Sequence, residues 1–123
     1  AGFHANRANR LVDDGERQAQ RVMAELAAEH RPVWEPDPEK AHLTARGPVD
    51  LVIVNAAARG FDGLRFAAQL RSDEQTRQVP ILAVLDPEDR PRMVKALDIG
   101  VNDVLSRPID AQELSARVRT QIK

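Results

Sequence analysis

The residues of this chain that could do chemistry are few, and the most telling of them is an amide. Residues 51–64, LVIVNAAARGFDGL, form an apolar run that ends at Asn55 and passes through small residues to Asp62-Gly63. A carboxylate at the end of such a run would be a nucleophile, but the Asn55 amide has no anionic oxygen to attack with. Asp62 is the other carboxylate close by, and its place before Gly63 reads as a turn. Asp13 and Asp14 are an adjacent acidic pair of the kind that holds a hard divalent cation such as magnesium. The plainer reading is an acidic turn before a helix, where the helix dipole favours negative charge. His4, His30 and His42 do not fall at metal-ligand or catalytic spacing and read as surface residues. Ser72, Ser106 and Ser115 sit in helical or loop patterns and join no serine-histidine-acid set, and no glycine-rich phosphate loop occurs. Trp34, the lone tryptophan, reads as cover for a sheet edge, with stacking on a ligand as the alternative.

The totals narrow the function classes further. A chain of 123 residues suits one domain. Apolar residues make up 42% and charged residues 30%, enough for a core and a soluble surface. A net charge of -1 supplies no field for nucleic acid or an anionic membrane. The absence of cysteine excludes disulfides and thiolate chemistry and fits a cytoplasmic setting. No apolar run approaches the ~18 residues of a membrane span. Because its last residues lie inside a helical pattern, the chain reads as a piece of a longer protein.

The elements that must position these residues follow from periodicity. Ala19, Val22, Met23, Leu26 and Ala27 fall at helical spacing, and RPVWEP reads as an edge-like strand. DPEKAHLTAR opens a helix with Asp37 as N-cap and Pro38 at its first position. VDLVIVN and VPILAVL are continuously apolar, the mark of strands buried on both faces. GLRFAAQLRSDEQTR is an amphipathic helix. EDRPRMVKALDIG is a helix with Pro91 in its first turn and Gly100 closing it, and NDVLSRP is a short strand. DAQELSARVRTQI is a helix capped by Asp110, with Glu113 in capping-box position. Strand and helix alternate about five times, which predicts a parallel sheet with helices on both faces and a site at the C-terminal strand ends.

These segments resemble a known family. Asp13-Asp14, the strand ending at Asn55, the FDG loop at 61–63 and SRP at 106–108 are similar to the receiver domain of response regulators in two-component, phosphorelay signal transduction. The resemblance is closer still to the second receiver of PleD-type regulators, which join two receivers to a GGDEF diguanylate cyclase domain. ERQAQRV, EHRPV, DPEKA, GPVDLVIVNAAA, FDGLRF, MVKALDIGVND and LSRPIDAQELSARV carry that closer match. It implies a flavodoxin-like (CheY-like), doubly wound (βα)5 fold with a five-stranded parallel sheet over residues 11–123. Residues 1–10 are then a linker or residues added in making the protein. Asn9 and Arg10 suit a buried first strand poorly.

In a working receiver two acids hold magnesium, an aspartate accepts the phosphoryl group, and a Thr or Ser and a Lys sense it. By resemblance Asp13 and Asp14 match the metal acids, as a vestige, and no cofactor is required. Asn55 takes the phosphoacceptor position, and Leu85 and Arg107 take the two sensing positions. Pro108 matches the proline at which a cis bond would fit. The family reading is therefore a pseudo-receiver: a non-phosphorylatable adaptor for dimerisation and domain packing, not itself an enzyme, in a parent diguanylate cyclase. Its implied partners are a receiver of the same protein or of a partner protomer, the GGDEF domain, and a second copy in a homodimer. Neither nucleic acid nor membrane is among them. Arg31 in EHRPV matches a position implicated in docking cyclic di-GMP, the inhibitory product. The implied interface carries Arg92, Lys95, Asp98, Asn102, Asp103, Glu113, Arg117 and Arg119 around Met93, Val94, Ala96 and Leu97, with Asp103 and Arg117 at positions that pair across subunits. The alternatives are an atypical phospho-accepting receiver and a ligand-sensing pseudo-receiver joined to a different output.

Overall fold

The computed structural model describes residues 19–27, 29–57 and 61–122. Asp13, Asp14, His4 and the expected first strand lie outside them. The chain divides into two compact units, Ala1–Trp34 and Glu35–Lys123. In the first, residues 19–26 are helical (α1). Leu26 is buried and Val22 and Met23 half-buried, as the apolar spacing requires. The helix closes through the His30 N–H, which donates to the Leu26 carbonyl at 2.8 Å.

The second unit alternates helix and strand: α2 (Pro38–Ala45), β1 (Val52–Asn55), α3 (Gly63–Ser72), β2 (Ile81–Leu85), α4 (Arg90–Ile99), β3 (Asp103–Ser106) and α5 (Ala111–Gln121). Among the described residues the sheet has three parallel strands in the order β1-β2-β3. Every residue of the central β2 is buried, which is what its unbroken ILAVL composition predicts. The flanking β1 and β3 are only partly so.

RPVWEP is not a strand. Its residues make no ladder among the described residues, and Pro32 and Pro36 lack the N–H groups that one would need. Val33 is 77% exposed and Trp34 39% exposed.

Aspartates start the helices. Asp37 Oδ1 accepts from the Glu39 N–H at 3.0 Å, and Asp110 Oδ1 accepts from Gln112 and Glu113 N–H at 2.8 and 3.2 Å. Asp89 caps α4, whose Pro91 lies in the first turn, and Gly100 ends it at φ 106°, a left-handed conformation that favours glycine. The capping box expected at Glu113 is replaced: its carboxylate turns along α5 to accept from Arg117 Nε at 3.2 Å. The core gathers Val54, Leu64, Phe66, Leu70, Ile81, Ala83, Leu85 and Ala96 between the sheet and α3 and α4. Thr76, the one buried polar residue of the described set, donates its hydroxyl to the Leu70 carbonyl at 2.6 Å and closes the turn after α3.

Candidate functional site

Strand register brings three of the expected site positions to one edge. Asn55 ends β1 opposite Val84, and Leu85 ends β2 opposite Ser106, the last residue of β3. Arg107 follows directly, and its N–H donates to the Leu85 carbonyl at 3.0 Å. The Arg107–Pro108 peptide is cis. The C-terminal strand ends therefore gather Asn55, Leu85 and Arg107, as parallel topology demands.

Their side chains have settled tasks. Asn55 Oδ1 accepts from the Ala57 N–H at 3.2 Å, holding the chain as it leaves the strand. Leu85 is fully buried, so its side chain belongs to the core and offers no hydroxyl at the surface. Arg107 directs Nε and a terminal nitrogen at one oxygen of Asp86, at 2.9 and 2.8 Å. Asp86 was not singled out in the sequence; the neighbouring pair of strand ends is what makes it a partner.

The loop carrying Asp62 is fixed by close packing. A Cβ on Gly63 would come within 2.7 Å of Ala56 Cα and 2.9 Å of a Val54 methyl, so only glycine lets α3 begin against β1. Asp62 is more than the turn residue read from sequence: it is the N-cap of α3, accepting from the Arg65 N–H at 3.1 Å. Among the described residues no group of three His, Cys, Asp or Glu side chains could hold a metal ion. No step through a metal follows from them.

The expected interface positions lie on α4, the turn after it, β3 and α5. Lys95 and Asp98 are exposed on α4, and Arg92 is half-exposed, 4.0 Å from Asp89. The apolar centre is smaller than the sequence suggests. Ala96 is buried and Met93 packs on the core, which leaves Val94 and Leu97, 55% and 59% exposed, one turn apart. Arg117 bridges Asp103 at 2.5 Å and Glu113 at 3.2 Å within the chain, and these two carboxylates, Asp103 foremost, push its guanidinium pKa up. Asn102 is exposed, but its Oδ1 is engaged within the chain, accepting from the Ile81 N–H at 2.8 Å and from Arg71 at 2.9 Å. Arg119 is exposed on α5, and Arg31 is exposed in the first unit.

Two polar centres escaped the sequence reading, both at the opposite, N-terminal end of the strands. Arg71 donates to the carbonyls of Gly100, Arg77 and Val79 as well as to Asn102 Oδ1, at 2.7–3.1 Å. Burial of the cation among these dipoles lowers its pKa. Asp73 accepts from His42 Nε2 at 2.8 Å, Arg46 Nε at 2.7 Å and the Gln75 N–H at 3.0 Å. The Gln75 amide first, then Arg46 and His42, hold its carboxyl far below the usual range. His42 is thus no free surface residue; its ring also meets Phe66 edge-on, 6.4 Å between centroids. The partners lie 31 and 27 residues from Asp73, so no local spacing announces them.

Comparison with known proteins decides the family. The model of the response regulator receiver domain matches residues 11–119. The chain belongs to that family. It is 75% identical over 113 residues to the response regulator PleD of Caulobacter vibrioides, spanning 92% of this chain and 25% of that protein. It therefore covers about a quarter of its relative's length. The cyclic di-GMP phosphodiesterase response regulator RpfG of Xanthomonas campestris is 41% identical over 71 residues, 58% of this chain and 19% of that one. Among solved structures, a response regulator from Chloroflexus aurantiacus superposes with a TM-score of 0.79 at 24% identity, covering 87% of this chain and 89% of the other. A sensor histidine kinase receiver from Pseudomonas aeruginosa, solved with magnesium in its active-site cleft, superposes at 0.67 and 22% identity over 98% and 93%. The fold is the CheY-like receiver fold, and this is a receiver of a two-component response regulator, close to PleD. Among the described residues no helix is long and apolar enough to cross a membrane.

Proposed function

We propose that this receiver works without accepting a phosphoryl group, as an adaptor over residues 11–123 within a PleD-like regulator. The observation that carries the reading is the edge where Asn55, Leu85 and Arg107 meet. The amide supplies no nucleophilic oxygen, the buried leucine supplies no hydroxyl, and the arginine is committed to Asp86. What such a domain retains is shape and surface. Its role is differential affinity: it binds a phosphorylated receiver, of the same protein or a partner protomer, better than the unphosphorylated one. Packing through α4, β3 and α5 then brings two GGDEF domains together in a cytoplasmic homodimer, so that each presents GTP to the other. Arg31 contributes a guanidinium to a composite cyclic di-GMP contact whose other half lies on the GGDEF domain. The domain by itself performs no catalysis and needs no metal, so adding magnesium leaves its melting temperature unchanged.

Incubation with acetyl phosphate and magnesium, followed by intact mass, tests the reading. No phosphoryl adduct is expected. An adduct mapped to Asp62, Asp86 or either acid of the 13–14 pair would replace it with an atypical phosphoacceptor. Equal affinity for the two states of the partner receiver would remove the adaptor role even without an adduct.

A further inference from the structure

The flank of α3 that faces α2 carries a groove unrelated to the strand-end edge or to the α4–α5 face. Arg46 of α2, Arg65 of α3 and Arg77 of the following turn line it, together with His42, Asp73 and Glu74. Their charges are not balanced. Asp73 is already taken by Arg46 and His42. The guanidinium groups of Arg65 and Arg77 meet no carboxylate among the described residues, and only Glu74 opposes them in the groove. The groove is thus cationic on a chain whose net charge is -1. On α2, Leu43 lies one helical turn from the groove residue Arg46 and is 63% exposed. The groove is shallow and open, which suits a macromolecular surface better than an enclosed small molecule.

We propose that this groove docks an acidic, amphipathic helical segment of another protein. Arg65 and Arg77 pair with its carboxylates and Leu43 meets its apolar side. Arginine forks suit carboxylates bidentately, and an apolar residue beside two unneutralised cations matches a helix bearing both Glu and Leu. Such a contact is independent of the adaptor reading. It would let the domain hold a second partner while the α4–α5 face is occupied.

The probe is a fluorescein-labelled synthetic helix of Glu and Leu at i, i+4 spacing, titrated with the chain by fluorescence anisotropy. Saturable binding is expected, weakening as salt rises. The double variant Arg65→Glu/Arg77→Glu is expected to lose about tenfold or more in affinity, as reversal of contacting charges should. Leu43→Ala is expected to lose about threefold. Arg90→Glu/Lys95→Glu, the same charge change on α4, is expected to stay within about twofold. All these side chains are exposed, so thermal melts should match the parent; Arg65→Gln/Arg77→Gln repeats the test if charge reversal disturbs folding. Equal losses from the two charge-reversal variants would overturn the site in favour of diffuse attraction. So would absence of binding, or displacement of the peptide by anionic lipid vesicles or duplex DNA at equivalent charge.

Discussion

The two ends of the parallel sheet are built differently. At the C-terminal ends the Arg107 side chain pairs with one carboxylate, that of Asp86. Asn55 reaches two residues along the chain, and Arg107 reaches Asp86 with both side chains more than a third exposed. At the N-terminal ends, one arginine gathers four oxygens from the α3–β2 turn, the end of α4 and Asn102, while one aspartate gathers His42, Arg46 and a backbone amide. The N-terminal end thus concentrates several hydrogen bonds on single side chains.

The sharpest way to break this contrast is to remove the arginine. Arg71→Ala strips partners from three carbonyls and from Asn102 at once. Hydrogen bonds from a charged donor are worth ~1.5–3 kcal/mol, so a loss of about 3 kcal/mol is expected in urea unfolding. Asn102→Ala combined with it should cost less than the sum, because both remove the Arg71–Asn102 bond. Strict additivity would mean that the two side chains act independently, and the idea of one hub would go.

The strand-end edge should respond more mildly, and to chemistry as well as to packing. Leu85→Thr exchanges core volume for a buried hydroxyl and should cost about 2 kcal/mol. With Asn55→Asp and Arg107→Lys added, the edge regains the three residue types that the family resemblance calls for. Intact mass after acetyl phosphate should show more adduct in the triple variant than in Asn55→Asp alone. Equal adduct in both would mean that Leu85 and Arg107 do not limit the reaction.

Asp73 gives the comparison a pH signature. Its folded pKa is depressed, so its contribution is fully present above the ordinary carboxylate pKa near 4 and is lost as pH falls towards the lower folded value. Asp73→Asn should lower the melting temperature at pH 7, and the gap to the parent should narrow below about pH 4. A gap that stays constant with pH would assign the effect to packing and not to charge.

Much of this fold was legible in the sequence, and the exceptions share a cause. The ILAVL strand, the Asp37 and Asp110 caps and the Gly100 stop are encoded locally, in composition or in neighbours a few residues apart. RPVWEP carries strand-like residues, yet a strand needs a ladder partner and donors, and its prolines withhold two of them. Glu113 was read for one local role and took another, since Arg117 one turn on competes for the same carboxylate. Arg71 and Asp73 were invisible because their partners come from distant segments; on a helical wheel each is one more polar residue. The site edge could be read only because the resemblance named its positions, and the Asp86 partner of Arg107 emerged only from the structure.

That partner supplies the mildest test. Arg107→Ala removes an ion pair whose side chains are 37% and 38% exposed, and exposed pairs contribute ~0–1 kcal/mol. The expected change in unfolding free energy is therefore below about 1 kcal/mol, smaller than the loss from Arg71→Ala by a factor of about three. It should also shrink in high salt, where the Asp86 attraction is screened, while the Arg71 effect should persist because carbonyl dipoles carry no net charge for ions to screen. If Arg107→Ala instead cost as much as Arg71→Ala, the two ends of the sheet would be equally committed to stability. Arginine at position 107 would then be a structural requirement of this edge, and its difference from the lysine that the resemblance implies would need no functional explanation.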